Sequence, residues 1–568
     1  MTTLRDSGVT DIVVSPGSRS TPFVAAAAHV GLHCHTIVDE RAAGFFALGR
    51  AKVSGTPVAL LCTSGSAGCH YFPAIVEASH SFTPLIAITA DRPSELHGCD
   101  APQAMNQTRL YGDHVRASID LGAPHEGDLA MRSVQRKAIQ AVTSALTPTP
   151  GPVHINAPAR KPLEPSDDAE PVEGHSPTIH TPVSKVSDAG ISELAGACAS
   201  HRRGVIIAGP APIDQRSLRE RVAALSAATG YPVLAEATSQ LRLVGRTETT
   251  TTCDGFAQLL SSTAFVDAHR ADVVIQIGAT PAGWELNRYV NSCDHAQRYV
   301  LAAHGWPDPT SSATALLFGD IGDALERLTG KLGNVKPDDD WAQAFRDGSE
   351  LAWRCSETVL GEQRDQVGED QIMRAVVGNA PNGCLLALAN SLPVRTVDWF
   401  CPGTASDLDV THQRGLNGID GLIAGAAGAA SARTGPTLLV LGDVSFAHDV
   451  GGLAAARSLE TPLAIVVVDN RGGHIFDYLP IADRAELAAE YQAHWLAEQS
   501  LDICSVATSY GLAAVTVSSA GALSDALTAA LSHNGCTVIH APVAPTSAKQ
   551  SKQRVTDDID RQWPRVTS

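Results

Sequence analysis

One pattern recurs along the chain: a short apolar run, a polar or glycine-rich turn, then a stretch of helical period. In the first part it is carried by DIVVSPGSRS from Asp11, TIVDERAAGFFALG from Thr36, VALLCTSGSAG from Val58 and LIAITADRP from Leu85, and it closes at GPVHINAP, residues 151–158. A second series runs through GVIIAGP from Gly204, YPVLAEA from Tyr231, DVVIQIGAT from Asp272 and RYVLAAHG from Arg298. A third contains LLALANS from Leu385, VRTVDW, the stretch from Thr437 to Pro480, and the late strand CTVIHAPV from Cys536. Strand and helix in alternation predict parallel sheets covered by helices on both faces. The expected fold is therefore α/β, three successive Rossmann-like domains. The first covers 1–160, a proline-rich acidic linker 161–185, a middle domain 186–335 and the last domain 345–568, with a second linker at Lys331 to Asp340. The polar tail after Thr546 is expected to be either a loosely docked helix or disordered.

The stretch Thr437 to Pro480 organises the rest. Thr437 to Leu441 predicts a strand ending at Gly442-Asp443, Asp449 to Leu459 a crossover helix, and Leu463 to Val468 a second strand closing on Asp469-Asn470. Parallel strands bring Asp443 and Asn470 out at one sheet edge, where open α/β folds bind ligands. A carboxylate and an amide oxygen suit a hard cation such as Mg²⁺, which takes its remaining ligands from waters and phosphates. An Asp and an Asn ending two strands are ordinary turn formers, but here Gly442 admits a diphosphate and Arg471-Gly472-Gly473 offers backbone carbonyls.

A length of 568 residues exceeds one core, and 44% hydrophobic with 18% charged residues is ordinary for a soluble protein. No apolar run predicts a membrane span, and no secretory leader is visible, so the cytoplasm is expected. The short N-terminal stretch suggests a truncated first helix. Twelve cysteines without a C-x-x-C pair predict reduced thiols rather than a metal ribbon. In His33-Cys34-His35, strand alternation points neighbouring side chains to opposite faces and argues against a metal site. A net charge of −18 excludes nonspecific binding to nucleic acid or anionic membrane. Anionic substrates would then need a local cluster of arginines.

Two turns supply candidates. In SPGSRSTP, Arg19 stands at a helix N-terminus, where a cation opposes the helix dipole and so implies an anionic partner. Glu40, in DERAAGFF, opens a helix beside Ala42, Ala43, Phe45 and Phe46, apolar walls that would keep a carboxyl hydrogen bond unscreened. Arg92 in ADRP either serves an anion or pairs with Asp91.

The motif G-D-x, 24 residues, D-N resembles that of thiamine diphosphate enzymes. SPGSRS, DERAAGFFALG, TSGSAG, ADRPSEL, ANSLPVR, QRGLNGIDG, GDVSFAHD and DNRGGHIFDYLP, in this order, resemble more narrowly the 2-succinyl-5-enolpyruvyl-6-hydroxy-3-cyclohexene-1-carboxylate synthases of menaquinone biosynthesis. The resemblance implies pyrimidine-binding, middle and diphosphate-binding domains, with thiamine diphosphate and Mg²⁺ (or Mn²⁺) as cofactors. It implies decarboxylation of 2-oxoglutarate and conjugate addition of the succinic semialdehyde carbanion to isochorismate. It assigns cofactor activation to Glu40 and the metal to Asp443, Asn470 and the Gly472 carbonyl. Ile419 would brace the cofactor, Ser64, Gly65, Gly442, Val444 and Ser445 would line it, and Ile475, Phe476 and Leu479 would line the pocket. Ser18, Arg19, Arg92, Gln103, Ser391, Arg395 and Arg414 match substrate positions. Both substrates are dicarboxylates, which guanidinium groups bind bidentately. Arg395 would take the distal carboxylate of 2-oxoglutarate, and Arg19 and Arg92 the isochorismate side.

The resemblance further implies that Glu40 and Asp443 meet across a homodimer, or a dimer of dimers. It falters at Trp284-Glu285, where such synthases often carry a basic residue; either another Lys or Arg substitutes, or isochorismate binds less tightly. His448 and His474 are loop histidines without a role. The alternatives are another thiamine diphosphate-dependent 2-oxoacid decarboxylase or acetohydroxyacid-synthase-like carboligase, and a noncatalytic nucleotide-binding protein.

Overall fold

The computed structural model describes the chain except at residues 126, 166–176, 246–252, 334–335, 363, 404–405 and 567–568, and except for the side chains of 564–566. Residues 166–176 of the predicted first linker lie outside the described residues. The first sheet contains β1 (Asp11–Val14), β2 (His33–Thr36), β3 (Val58–Cys62), β4 (Leu85–Asp91), β5 (Ser118–Asp120) and β6 (Val153–Pro158), in the order β2-β1-β3-β4-β6-β5. The second contains β7 (Gly204–Ala208), β8 (Val233–Ala235), β9 (Val273–Ile277), β10 (Gln297–Ala302) and β11 (Ala315–Phe318), ordered β11-β10-β9-β7-β8. The third contains β12 (Leu385–Leu388), β13 (Asp409–His412), β14 (Thr437–Gly442), β15 (Pro462–Asp469), β16 (Ala513–Thr516) and β17 (Gly535–Pro542), ordered β13-β12-β14-β15-β17-β16. Every pairing between these strands is parallel. The first and third sheets share one topology, and in each the order reverses between the first and third strands. Ligand crevices of open α/β sheets lie at that reversal, outside the strands' carboxyl ends.

The central strands are wholly buried, as in VALLC and LIAITAD. Among the edge strands, β2, β5 and β16 are polar or exposed, which is why apolar pattern alone does not reveal all of them.

Three segments differ from the sequence-based expectation. The crossover after β14 is broken into a helix at Asp443–His448, a 3-10 turn at Val450–Gly452 and a helix at Leu453–Ala456. The break follows from Asp449, whose carboxylate leaves its own helix to accept from the N–H groups of Ile423 and Ala424 at 2.7 and 3.0 Å. The second linker is shorter than expected, because one helix runs to Leu332 and the next, Asp339–Leu360, begins on an Asp338 cap. Trp341 and Phe345 bury that second helix against the middle domain. The tail is neither loose nor disordered: Ser547–Val566 is a helix that buries Ala548, Val555, Ile559 and Trp563. Its apolar residues fall on one face, so the polar composition describes only the other. VRTVDW lies in the helix Leu392–Phe400.

The first and third domains meet through two helices, Glu40–Ser54 and Leu422–Ser431. Glycines allow the crossing: a Cβ on Gly49 would overlap the Gly425 carbonyl, and one on Gly428 the Phe46 carbonyl. Arg50 fastens it by donating to the Ser431 carbonyl and hydroxyl. This contact lies within one chain.

Gly428→Val should lower stability by roughly 2–3 kcal/mol or more, since backbone cannot yield as a side chain does. Gly196→Ala, in a helix where a Cβ meets nothing within 4 Å, should instead gain roughly 0.4–1 kcal/mol. Urea unfolding of both variants checks the contrast.

Candidate active site

At the third sheet's carboxyl edge, Gly442 pairs with Val468, so Asp443 is level with Asp469 and Asn470 stands one residue beyond. Both side chains are buried, and Asp443 Oδ2 and Asn470 Oδ1 have no hydrogen-bond partner. Burial first, then the Asp469 carboxylate, push the Asp443 carboxyl up to about 6, against the N–H groups of Val444, Asp443 and Gly472. Two buried oxygens left unpaired cost free energy unless a cation takes them. The donor set therefore fits Mg²⁺. A Cβ on Gly442 would meet only the Val468 carbonyl, at 4.0 Å, so the space beside this strand end is open. Ser445 is buried on the helix that Asp443 opens, with Val444 partly exposed between them. Gly472 has φ +128 and is pressed against the Leu496 carbonyl, which accepts from the Gly473 N–H at 2.7 Å. Ile475 packs on the cluster of Trp284, Trp399 and Tyr478, Phe476 is partly buried and Leu479 is exposed. Of the two loop histidines, His448 is exposed and His474 is paired with Asp477 at 2.8 Å.

The first sheet's crevice lies between the ends of β1 and β3. Gly17 lies against Thr63, whose hydroxyl accepts from the Arg19 N–H at 3.2 Å. Arg19 is buried, donates to the Ala159 carbonyl at 2.7 Å and has an unpartnered Nε. Burial, then the charge of Arg92, pull its pKa down. Arg92 does not pair with Asp91 through its guanidinium, which donates to the Pro102 carbonyl at 2.8 and 3.2 Å. Gln103 and Ser64 exchange side chain-to-carbonyl bonds at 3.1 and 3.0 Å, and the Gly65 N–H goes to Gln107 at 2.9 Å. Ser18 is exposed; its carbonyl accepts from the Thr21 hydroxyl, so it does not cap the helix with its side chain.

Glu40 is the first residue of its helix, which Asp39 caps by accepting from the Arg41 N–H. Its charge, after burial, raises the pKa of the Cys62 thiol, which places the carboxylate near the end of β3. The Glu40 carboxylate has no hydrogen bond or ion pair among the described residues. Ala42, Ala43, Phe45 and Phe46 are buried in one cluster with Leu422, and Ile419 packs against it. The expected apolar walls and the bracing Ile419 are thus brought together.

A third group lies where middle and last domains meet. Ser391, at φ +71, caps the helix of Arg395 and accepts from it at 2.7 Å. Arg414 donates to Asn390 at 2.9 Å, while Glu77 of the first domain grips the adjoining Gly415 and Leu416 N–H groups at 2.9 and 2.7 Å. Both Arg395 and Arg414 keep a buried Nε without partner. No hydrogen bond or ion pair joins this pair to Arg19 and Arg92 among the described residues. The Arg395 guanidinium lies over Trp284, 4.6 Å from the ring centre. Glu285 pairs with Lys552 of the C-terminal helix, and Lys552 lies 4.2 Å from the Trp399 ring centre. A lysine from the far end of the chain thus occupies the place where sequence showed only Trp284 and Glu285. Glu236 and Asp398 are buried beside the arginines; burial first, and for Glu236 the charge of Asp398, hold both above the ordinary carboxylate range.

His33 and His35 share one face of β2, two residues apart, and their nitrogens with an Asp11 oxygen fall within 4.8 Å of one another. Alternation separates Cys34 from this pair, not the histidines from each other. Arg50 already holds the same Asp11 oxygen at 2.8 Å, so the cluster is an ion-paired network that a cation would have to break.

The chain matches the description "Thiamine pyrophosphate enzyme, N-terminal TPP binding domain" over residues 1–110, "Middle domain of thiamine pyrophosphate" over 190–386 and "Thiamine pyrophosphate enzyme, C-terminal TPP binding domain" over 408–541. It is 44% identical over 98% of its length to a 2-succinyl-5-enolpyruvyl-6-hydroxy-3-cyclohexene-1-carboxylate synthase of Sorangium cellulosum, covering 94% of that protein. The chain belongs to this synthase family. A Geobacillus kaustophilus synthase of the same name is 37% identical over 84% of the chain and 83% of its own length. In fold, the synthase is similar to benzoylformate decarboxylase of Polynucleobacter necessarius, at a TM-score of 0.71 and 18% identity over 95% of this chain and 97% of that one. Around the synthase's site, Glu77, Glu236 and Lys552 escaped sequence reasoning because each belongs to another element and reaches the site only through tertiary packing.

With metal chelated, the contribution of Asp443 to stability should fall as pH rises from about 4 to about 6. The sign follows because Asp443, raised in the folded chain, binds more protons there than in the unfolded chain across that window. Asp443→Asn should make the fall in stability across this window shallower than in the wild type and gain at most about 3 kcal/mol above pH 6, the remainder belonging to Glu236, Glu369, Asp398 and Asp449, whose carboxyls burial also raises. Thermal unfolding in chelator across pH checks both.

Proposed function

We infer that the protein catalyses thiamine diphosphate- and Mg²⁺-dependent decarboxylation of 2-oxoglutarate and 1,4-addition of the resulting four-carbon unit to isochorismate. The product is 2-succinyl-5-enolpyruvyl-6-hydroxy-3-cyclohexene-1-carboxylate. One observation carries the substrate assignment: Arg19, Arg395 and Arg414 are held at the two sheet edges with buried N–H donors to spare. Substrates bearing two carboxylates supply the acceptors.

Asp443, Asn470 and the Gly472 carbonyl would hold the metal, with Mn²⁺ able to replace Mg²⁺; Gly442, Val444, Ser445, Ser64 and Gly65 would line the cofactor, and Ile419 would brace it. The bound cofactor supplies the electron sink for losing carbon dioxide and forming the new bond. Glu40 shares a proton between its carboxyl oxygen and the cofactor's pyrimidine nitrogen, a bond that Ala42, Ala43, Phe45 and Phe46 keep from water. Arg395, flattened on Trp284, takes the distal carboxylate of 2-oxoglutarate. Arg19, Arg92, Gln103, Ser391 and Arg414 orient isochorismate. Ile475, Phe476 and Leu479 exclude water that would protonate the four-carbon unit early.

The working unit is a homodimer or a dimer of dimers in the cytoplasm. Support comes from Val38, 78% exposed two residues before a Glu40 carboxylate that has no hydrogen bond or ion pair among the described residues. No helix of the described residues is long and apolar enough to cross a membrane.

Glu40→Gln should lose about a hundredfold in turnover while keeping cofactor, because the proton is misplaced and the metal anchor is not. Unchanged turnover would refute the role. If sites are shared between subunits, co-expressing Glu40→Gln with Asp443→Asn should restore roughly a quarter of wild-type activity through mixed dimers with one intact site. Sites completed within one chain would restore none.

A further inference from the structure

The buried amide of Asn470 has two ends of nearly equal shape, and only its oxygen can bind a cation. Packing alone does not choose between them. Glu369 does: its Oε2 accepts from Asn470 Nδ2 at 3.1 Å, which leaves Oδ1 as the end without a partner. Glu369 is itself buried, the first residue of the helix Glu369–Asn379, more than a hundred positions from the loop it serves. Its N–H donates to the Ser547 hydroxyl at 3.0 Å, at the start of the C-terminal helix, so its backbone is fixed from a third element. The nearby charges are Asp370, His474 and Asp443. Asp370 is neutralised by Arg364 through bonds of 2.8 and 2.9 Å, and His474 by Asp477. Glu369 and Asp443 are thus buried carboxyl groups with no ion pair among the described residues.

We propose that Glu369 is a positioning residue of the metal site, which orients the Asn470 amide so that its oxygen faces the cation. The inference rests on reading Asp443 and Asn470 as metal ligands. Groups that orient a ligand from behind typically govern metal affinity by ten- to a hundredfold. No step of the reaction passes through Glu369, so its effect belongs to binding.

The test is calorimetric titration of thiamine diphosphate into the full-length protein at fixed Mg²⁺, and of Mg²⁺ at saturating thiamine diphosphate. Glu369→Leu should weaken both by about ten- to a hundredfold, while Glu369→Gln, whose oxygen still accepts from Nδ2, should stay within about threefold of wild type. A swap separates orientation from mere folding. N470D has no N–H to give Glu369 and should bind weakly. The double variant E369Q/N470D returns an N–H to the pair from the other side and should recover about tenfold or more of that loss. Wild-type affinity in a folded Glu369→Leu protein would overturn the proposal, as would a double variant no better than N470D. Asp443→Asn is the control: if it too binds as wild type, the metal-site reading itself has failed.

Discussion

Two buried oxygens with nothing to bond, Asp443 Oδ2 and Asn470 Oδ1, are the constraint around which this molecule is built. Leaving polar atoms unpaired in the interior is tolerated where a ligand completes them. Parallel pairing of β14 with β15 sets their height, Glu369 sets the direction of the amide, and the left-handed Gly472 turns the loop between them and the substrate side. The unpaired oxygens themselves do not stabilise the chain. Each spends folding free energy on a geometry that a cation repays.

The substrate side solves a different electrostatic problem. A chain of net charge −18 must present positive charge to anions. In the proposed function it does so with arginines that backbone carbonyls hold in place, Arg19 on Ala159, Arg92 on Pro102 and Arg395 on Ser391. Buried acids beside Arg395 and Arg414 temper that charge, and Lys552 neutralises Glu285. The C-terminal helix thus joins both halves of the site, touching Glu369 through Ser547 and the Trp284 wall through Lys552.

Much of this was legible in the chain. Buried central strands are continuous apolar runs, so the sheets were visible, and polar residues just past strand ends marked the crevice. What could not be read follows from the same physics. Edge strands such as SID at Ser118–Asp120 bury little and leave no pattern. The C-terminal helix has an average composition that hides one apolar face. Glu369 and Lys552 look like any surface charge, because their partners lie 101 and 267 positions away. The glycines that let two domains touch were readable only as helix weakeners until their neighbours were known.

The account stands or falls on what the two arginine sets admit. The most direct measurement is product analysis after incubating the protein with Mg²⁺, thiamine diphosphate, 2-oxoglutarate and isochorismate. The account predicts one molecule of 2-succinyl-5-enolpyruvyl-6-hydroxy-3-cyclohexene-1-carboxylate for each carbon dioxide released. Release of free succinic semialdehyde without the coupled product, or faster carbon dioxide release from pyruvate than from 2-oxoglutarate, would contradict it.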